Sequence, residues 1–149
     1  MKAIITIGIS ASGKSTFARE YVQANPQSVK IDRDDLRFSL RAADNWGEYD
    51  FDQVIEKAIT KAHETMIRHA GEKGYDVVIA ETNLSKKTRA RMISLLRASG
   101  YNDIQFKEFP INVEEAIARD AARQYSVGEK VIREQYSRFL TYMEEKIDE

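Results

Sequence analysis

The stretch AIITIGISASGKST, residues 3–16, decides the fold. Its first half, AIITIG, is a β-branched run of the kind found in a strand buried on both faces. Gly8-Ile9-Ser10-Ala11-Ser12-Gly13-Lys14-Ser15 then fills every position of G-x-x-x-x-G-K-[ST]. The glycines permit a tight loop whose backbone N–H groups point inward, and the helix that follows adds the positive end of its dipole. Lys14 is placed to reach the β- and γ-phosphates of a nucleoside triphosphate, and the Ser15 hydroxyl to ligate Mg2+. Gly8, Ser10, Ala11, Ser12, Gly13 and Thr16 complete the ATP-binding loop. The cradle identifies the phosphate donor and leaves the acceptor open.

The rest of the chain bounds the answer. It has 149 residues, is 42% hydrophobic, contains no cysteine and carries a formal net charge of −1. One domain spanning 1–149 is expected. Disulfides and thiolate metal sites are excluded, and so is indiscriminate polyanion binding. No apolar run approaches the roughly 20 residues that span a bilayer, and MKAIITIG is too short for a signal-peptide core. A soluble, cytoplasmic protein without a membrane partner is expected; the charge leaves room for a homo-oligomer without arguing for one.

Periodicity and punctuation predict strands at 3–8, 28–31, 76–80 and 104–109 and helices at 14–24, 34–43, 51–70, 85–99, 113–122 and 129–147. Ser85 caps the fourth helix, and Asn112 with Glu115 forms a capping-box pattern for the fifth. On helix 51–70 the apolar residues Phe51, Ile55, Ala58, Ala62 and Met66 recur at helical spacing. The last helix places Ile132, Tyr136, Phe139, Leu140, Met143 and Ile147 on one face. Strands alternating with helices imply an α/β fold, a parallel sheet of about four strands flanked by helices. Ligands in such sheets bind beyond the carboxyl ends of the strands, so the segments after Ile7, Ile31, Ala80 and Phe109 converge on one crevice.

A switch GTPase carries D-x-x-G after a strand together with N-K-x-D, and that pairing is absent. A small P-loop protein with arginine-rich later helices points to phosphoryl transfer, in which positioning and charge neutralisation dominate. IDRDDLRFSLR, 31–41, offers Asp32, Asp34 and Asp35 beside Arg33, Arg37 and Arg41. Asp34 and Arg37 are three apart and share a helix face, pairing a base with a phosphate-binding fork. Spacing does not choose among the three aspartates, and capping by Asp32 with solvated surface charge is an equal reading. Arg119 and Arg123, at i and i+4 in ARDAARQYSVG, form a lid at about 118–130 that closes over the triphosphate. A solvated basic face is the alternative there.

SKKTRARMISLLR, 85–97, carries Lys86, Lys87, Arg89, Arg91 and Arg97 and no acid. These cations could track a nucleic-acid backbone, although the solvated side of an amphipathic helix is the commoner reason for such a run. His63 and His69 have no second ligand set at metal spacing and read as core or surface residues. Trp46 and Tyr49 read as loop anchors rather than base-stacking platforms.

Taken together, ITIGISASGKSTFAREYV, IDRDDLR, ETNL, RDAARQYSVG and VIREQY closely resemble the kinase domain of the phage T4-type 5′-polynucleotide kinases, over nearly the whole chain. The resemblance implies a P-loop kinase fold and transfer of the ATP γ-phosphate to the 5′-hydroxyl end of DNA or RNA, in the host cytoplasm if the chain is phage-encoded. It implies that Asp34 is the general base, that Arg37 contacts the acceptor's adjacent phosphate, that Lys14 and Ser15 serve donor and metal, and that Arg123 stabilises the transferring phosphate from the lid. Glu81, Thr82 and Asn83 fall on the acceptor side. Glu81 stands where the family usually has Asp, and the family's D-x-D-G-T phosphatase signature is absent, so no 3′-phosphatase activity is expected. A small-molecule kinase of the same fold and a nucleotide-dependent binding module remain as competing readings.

Overall fold

In the computed structural model, residues 1–41, 52–123 and 126–148 are described. The elements run β1 (Lys2–Ile7), α1 (Lys14–Ala24), β2 (Ser28–Ile31), α2 (Arg33–Arg41), α3 (Gln53–Glu72), β3 (Asp76–Ile79), α4 (Lys86–Ala98), β4 (Asp103–Glu108), α5 (Val113–Ala121) and α6 (Glu129–Asp148). The four strands form one parallel sheet in the order β2-β3-β1-β4. β1 and β3 are therefore neighbours at its centre, and their carboxyl ends open side by side.

Side-chain alternation along the central strands sorts the core into two layers. Ala3 and Ile5 of β1 and Val77 and Ile79 of β3 face α3 and α4, where Ile67, Ala70, Met92 and Leu96 complete the cluster. Ile4 and Val78 face the other way, against Ala18, Phe17 and Tyr21 of α1. Beyond the sheet's carboxyl end, Ile7, Ile9 and Leu84 pack against Ala116 of α5 and Ile132 and Phe139 of α6. That third cluster fixes the two late helices over the phosphate loop. β4 pairs only with β1 among the described residues, and its side chains are exposed or half-buried along its whole length.

The predicted elements are all present; among the described residues their boundaries coincide with the expected ones or shift by one or two residues, and the expected end of helix 34–43 and start of helix 51–70 fall outside the described residues. Ser85 Oγ accepts from the Thr88 N–H, and Asn112 Oδ1 accepts from those of Glu114 and Glu115, as expected of N-caps. The reciprocal half of the capping box does not form, because Glu115 accepts from Arg119 instead (2.6 Å).

Three sequence expectations are corrected. The buried stripe of α3 is Ile59, His63, Ile67 and Ala70, whereas Ala58 and Met66 are exposed. A buried polar residue, His63, sits where the apolar pattern required a hydrophobe, so the reading slipped one position around the helix. Leu140 of α6 is exposed rather than packed. Arg89, weighed for a nucleic-acid backbone or a solvated helix face, is instead engaged within the chain: its Nη1 donates to the Asn83 and Leu84 carbonyls (3.0 and 2.7 Å), and its guanidinium lies 4.6 Å from the Tyr142 ring centroid. Phe51, Trp46 and Tyr49, and the Ile147 side chain, lie outside the described residues. Among the described residues no helix is long and apolar enough to cross a membrane.

Candidate active site

The phosphate loop is held in shape by its backbone. Ala11 and Gly13 adopt positive φ (62° and 106°), which turns the chain sharply before α1. A Cβ on Gly8 would lie 2.8 Å from Ser12 Oγ and 3.0 Å from Phe109 Cβ, so only glycine fits. The Gly8 N–H donates to the Thr82 carbonyl (3.1 Å), locking the loop to the segment after β3. From α6, Gln135 Oε1 accepts from the Ser10 N–H (2.8 Å). Lys14 is buried and its Nζ donates to the Ile9 carbonyl. Burial, then the nearby Arg123, pushes its ammonium down to about 8. An anion in the loop would oppose that shift and hold the ammonium charged, which is what a triphosphate supplies. Ser15 and Thr16, in the first turn of α1, are exposed.

This loop lines a cavity of about 290 Å³. Ser10, Ala11, Ser12, Gly13, Lys14, Ser15 and Thr16 line it together with Asp32, Asp34, Glu81, Thr82, Arg119 and Arg123. Both arginines expected of a lid therefore border the same cavity as the loop. Arg119 is paired with Glu115 on an exposed helix face. Arg123 is held more firmly: Asp120, 2% exposed, accepts from its Nε (3.1 Å) and also from the Val127 and Gly128 N–H groups (3.0 Å each) and the Ser126 hydroxyl (2.9 Å). Burial alone would raise the Asp120 carboxyl; those hydrogen bonds and Arg123 outweigh it and hold it below the usual range. Asp120 thus ties the α5–α6 turn to the arginine.

A second cavity, about 440 Å³, also has Asp34 in its lining. It shares Ser10, Asp32, Asp34, Glu81 and Thr82 with the first and adds Arg33, Arg37, Asn83, Thr88, Val127, Val131 and Gln135. Asp34 Oδ1 accepts from Arg37 Nη1 (2.8 Å), the i, i+3 pair expected from spacing. Burial raises the Asp34 carboxyl above its ordinary range against the pull of Arg37. Arg37 is gripped further by Glu56 of α3, whose two oxygens take its Nε and Nη2 (2.9–3.2 Å). Burial would lower the guanidinium, but those carboxylates raise it overall, so it stays charged.

Asp32 caps α2, accepting from the Asp34 N–H (2.8 Å), and also faces both cavities. Burial, then Asp34 and Asp35, pushes its carboxyl up to about 7. Glu81 Oε2 accepts from the Arg33 N–H (3.0 Å) and so fixes the start of α2. The Asn83 amide is turned inward, donating to the Thr6 and Glu81 carbonyls (2.8 and 3.2 Å), with φ of 48°. Its nitrogen serves the fold, not a ligand. Glu56, Asp120, Gln135, Val127 and Val131 escaped the sequence reading. Asp120, an acid between Arg119 and Arg123, and Val127, within the 118–130 segment, lay in a stretch the sequence singled out; Glu56, Val131 and Gln135 lie on α3 and α6, distant in the chain.

The sheet, the loop and the flanking cavities define a P-loop kinase fold. Residues 4–145 match the family model described as AAA domain, and the chain belongs to that family. It is 26% identical over 147 residues to a protein of Autographa californica nuclear polyhedrosis virus named for bifunctional polynucleotide kinase/RNA ligase activity, covering 92% of this chain and 20% of that one. It superposes on a chain of the Pnkp1/Rnl/Hen1 RNA repair complex with TM-score 0.81 and 30% identity, over 97% of this chain and 45% of the other. A gluconokinase from Sinorhizobium meliloti shares the fold, with TM-score 0.60 at 16% identity over 92% of this chain and 74% of its own. The chain thus spans a fifth of the viral relative and under half of the repair-complex chain.

Proposed function

We propose that the protein transfers the γ-phosphate of ATP to the 5′-hydroxyl end of a nucleic-acid strand. The observation that carries this reading is that Asp34 lines both the phosphate-loop cavity and the larger groove beside it. A carboxylate in that position can take the proton of a hydroxyl presented from the groove as its oxygen attacks a phosphate presented from the loop. One Asp34 oxygen is held by Arg37, which leaves the other for the hydroxyl. Arg37, fixed charge-on, suits the phosphate that follows the terminal nucleoside; Val127 and Val131 give the groove an apolar wall for a sugar or base.

On the donor side the chain's groups fit a triphosphate with its metal. Lys14, the loop N–H groups, Arg119 and Arg123 would hold the phosphates, and Ser15 would hold Mg2+. Magnesium, when bound, neutralises charge on the transferring group. Arg123, anchored by buried Asp120, neutralises the charge that spreads over the equatorial oxygens as transfer proceeds. Glu81 and Thr82 separate donor from acceptor. The 5′-phosphate end so produced is what a strand-joining enzyme consumes, in keeping with the RNA ligase in the name of the viral relative.

The test is to incubate the protein with γ-labelled ATP, Mg2+ and a 5′-hydroxyl oligonucleotide, with Asp34→Ala as control. Label on the oligonucleotide that disappears in the variant is the expected result. Hydrolysis without transfer would make the chain a nucleotide-dependent binding module. Labelling of a small metabolite and no oligonucleotide would make it a metabolite kinase.

A further inference from the structure

His63 is a polar side chain in the buried stripe of α3, 3% exposed, with Ile59 and Ile67 one turn away on either side. Its Nε2 has no hydrogen-bond partner. An unsatisfied buried polar group of this kind is costly, so its place calls for a compensating role. The nearest charged atom supplies one: Glu81 Oε2 lies 3.0 Å from Nε2. The two atoms are close without a completed hydrogen bond. The same oxygen accepts the N–H of Arg33, the first residue of α2 and the neighbour of Asp34. Glu81 faces the phosphate loop, the acceptor groove and a third cleft of about 230 Å³ between α3 and α4, of which His63 is a wall.

From this geometry we infer that His63 is a positioning residue for phosphoryl transfer. It steadies the Glu81 carboxylate, which sets the start of α2 and through it the placement of Asp34. A modest ring rotation completes the Nε2–Glu81 hydrogen bond when an acceptor settles against Asp34, in the way apo-state contacts tighten on binding. His63 touches neither substrate, so its influence passes wholly through Glu81. The inference rests on the reading of Asp34 as the acceptor's base.

The test is steady-state transfer kinetics on the full chain for His63→Leu, His63→Gln, Glu81→Gln and the Leu/Gln double variant. His63→Leu is expected to lower kcat about tenfold and leave KM for ATP within about twofold, a coupling of ordinary size for residues in contact. His63→Gln, whose amide nitrogen reaches the same place, restores most of the loss. In the Glu81→Gln background, His63→Leu adds no more than about twofold. Multiplying losses in the double variant, or His63→Gln as poor as His63→Leu, would overturn the inference. So would an unchanged kcat with only a lowered melting temperature. A wild-type chain that labels no oligonucleotide would fail the kinase reading separately. The link itself is then read by NMR: the His63 imidazole resonances shift in Glu81→Gln if the contact holds, and a spectrum that does not move refutes it.

Discussion

The two sides of Asp34 are built in different ways. On the donor side the phosphate loop is a backbone object: nine consecutive residues, two positive φ values and a glycine with no room for a Cβ. On the acceptor side the groove is a side-chain network, with Asp34 and Arg37 from α2, Glu56 from α3 and Glu81 after β3. A backbone cradle tolerates most side-chain changes and fails where its conformation, Lys14 or Ser15 is touched. A side-chain network fails in graded steps, each carboxylate setting the next arginine.

Substitutions that break this contrast should order themselves accordingly. Arg123→Ala removes the cation proposed to stabilise the transferring phosphate and is expected to lower kcat roughly 10³-fold, as loss of an arginine finger does; near-normal turnover would remove the lid role. Arg119→Ala, whose partner Glu115 is exposed, is expected to cost much less, about tenfold in KM for ATP. Equal losses would mean that Asp120 gives Arg123 no advantage. Arg37→Ala should weaken acceptors that carry a phosphate next to the terminal nucleoside by about tenfold to a hundredfold in KM. It should spare nucleoside-like acceptors, and equal loss with both would detach Arg37 from that phosphate.

The smallest expected effect is on stability. Asp32, with its carboxyl raised to about 7, keeps a proton in the folded chain that the unfolded chain has released above about pH 4. The folded state therefore binds more protons across that window, and stability falls as pH rises from about 4 to 7. Asp32→Asn still accepts the Asp34 N–H but carries no charge to bury. It should raise the melting temperature at pH 8 by about 3 °C or more and flatten the fall. A variant with an unchanged pH–stability curve would show that Asp32 is not under strain.

The same contrast explains what could be read from residues alone. The loop, its flanking strand and helix, and the Ser85 and Asn112 caps are local patterns, so the fold and the donor half were legible. The Asp34–Arg37 pair was legible because three residues on a helix share a face. Glu56 was not: it reaches Arg37 from a helix 19 positions away, and nothing in a single sequence marks that meeting. His63 misled, because a polar residue in a buried stripe breaks the apolar count and shifts the inferred face. Asn83, expected on the acceptor side with Glu81 and Thr82, borders the larger cavity while its amide nitrogen closes the ends of β1 and β3. Arg89 likewise belonged to a cationic run by composition and to the packing of the 83–84 turn by geometry.

The central claim is that one carboxylate stands between donor phosphate and acceptor hydroxyl. A crystal structure of the chain with a non-hydrolysable ATP analogue, Mg2+ and a 5′-hydroxyl oligonucleotide tests it most directly. The account predicts the terminal O5′ within hydrogen-bond distance, about 2.6–3.2 Å, of an Asp34 carboxylate oxygen and in line with the γ-phosphorus. A strand end bound elsewhere, or an O5′ held by another carboxylate with Asp34 turned from the loop, would contradict it.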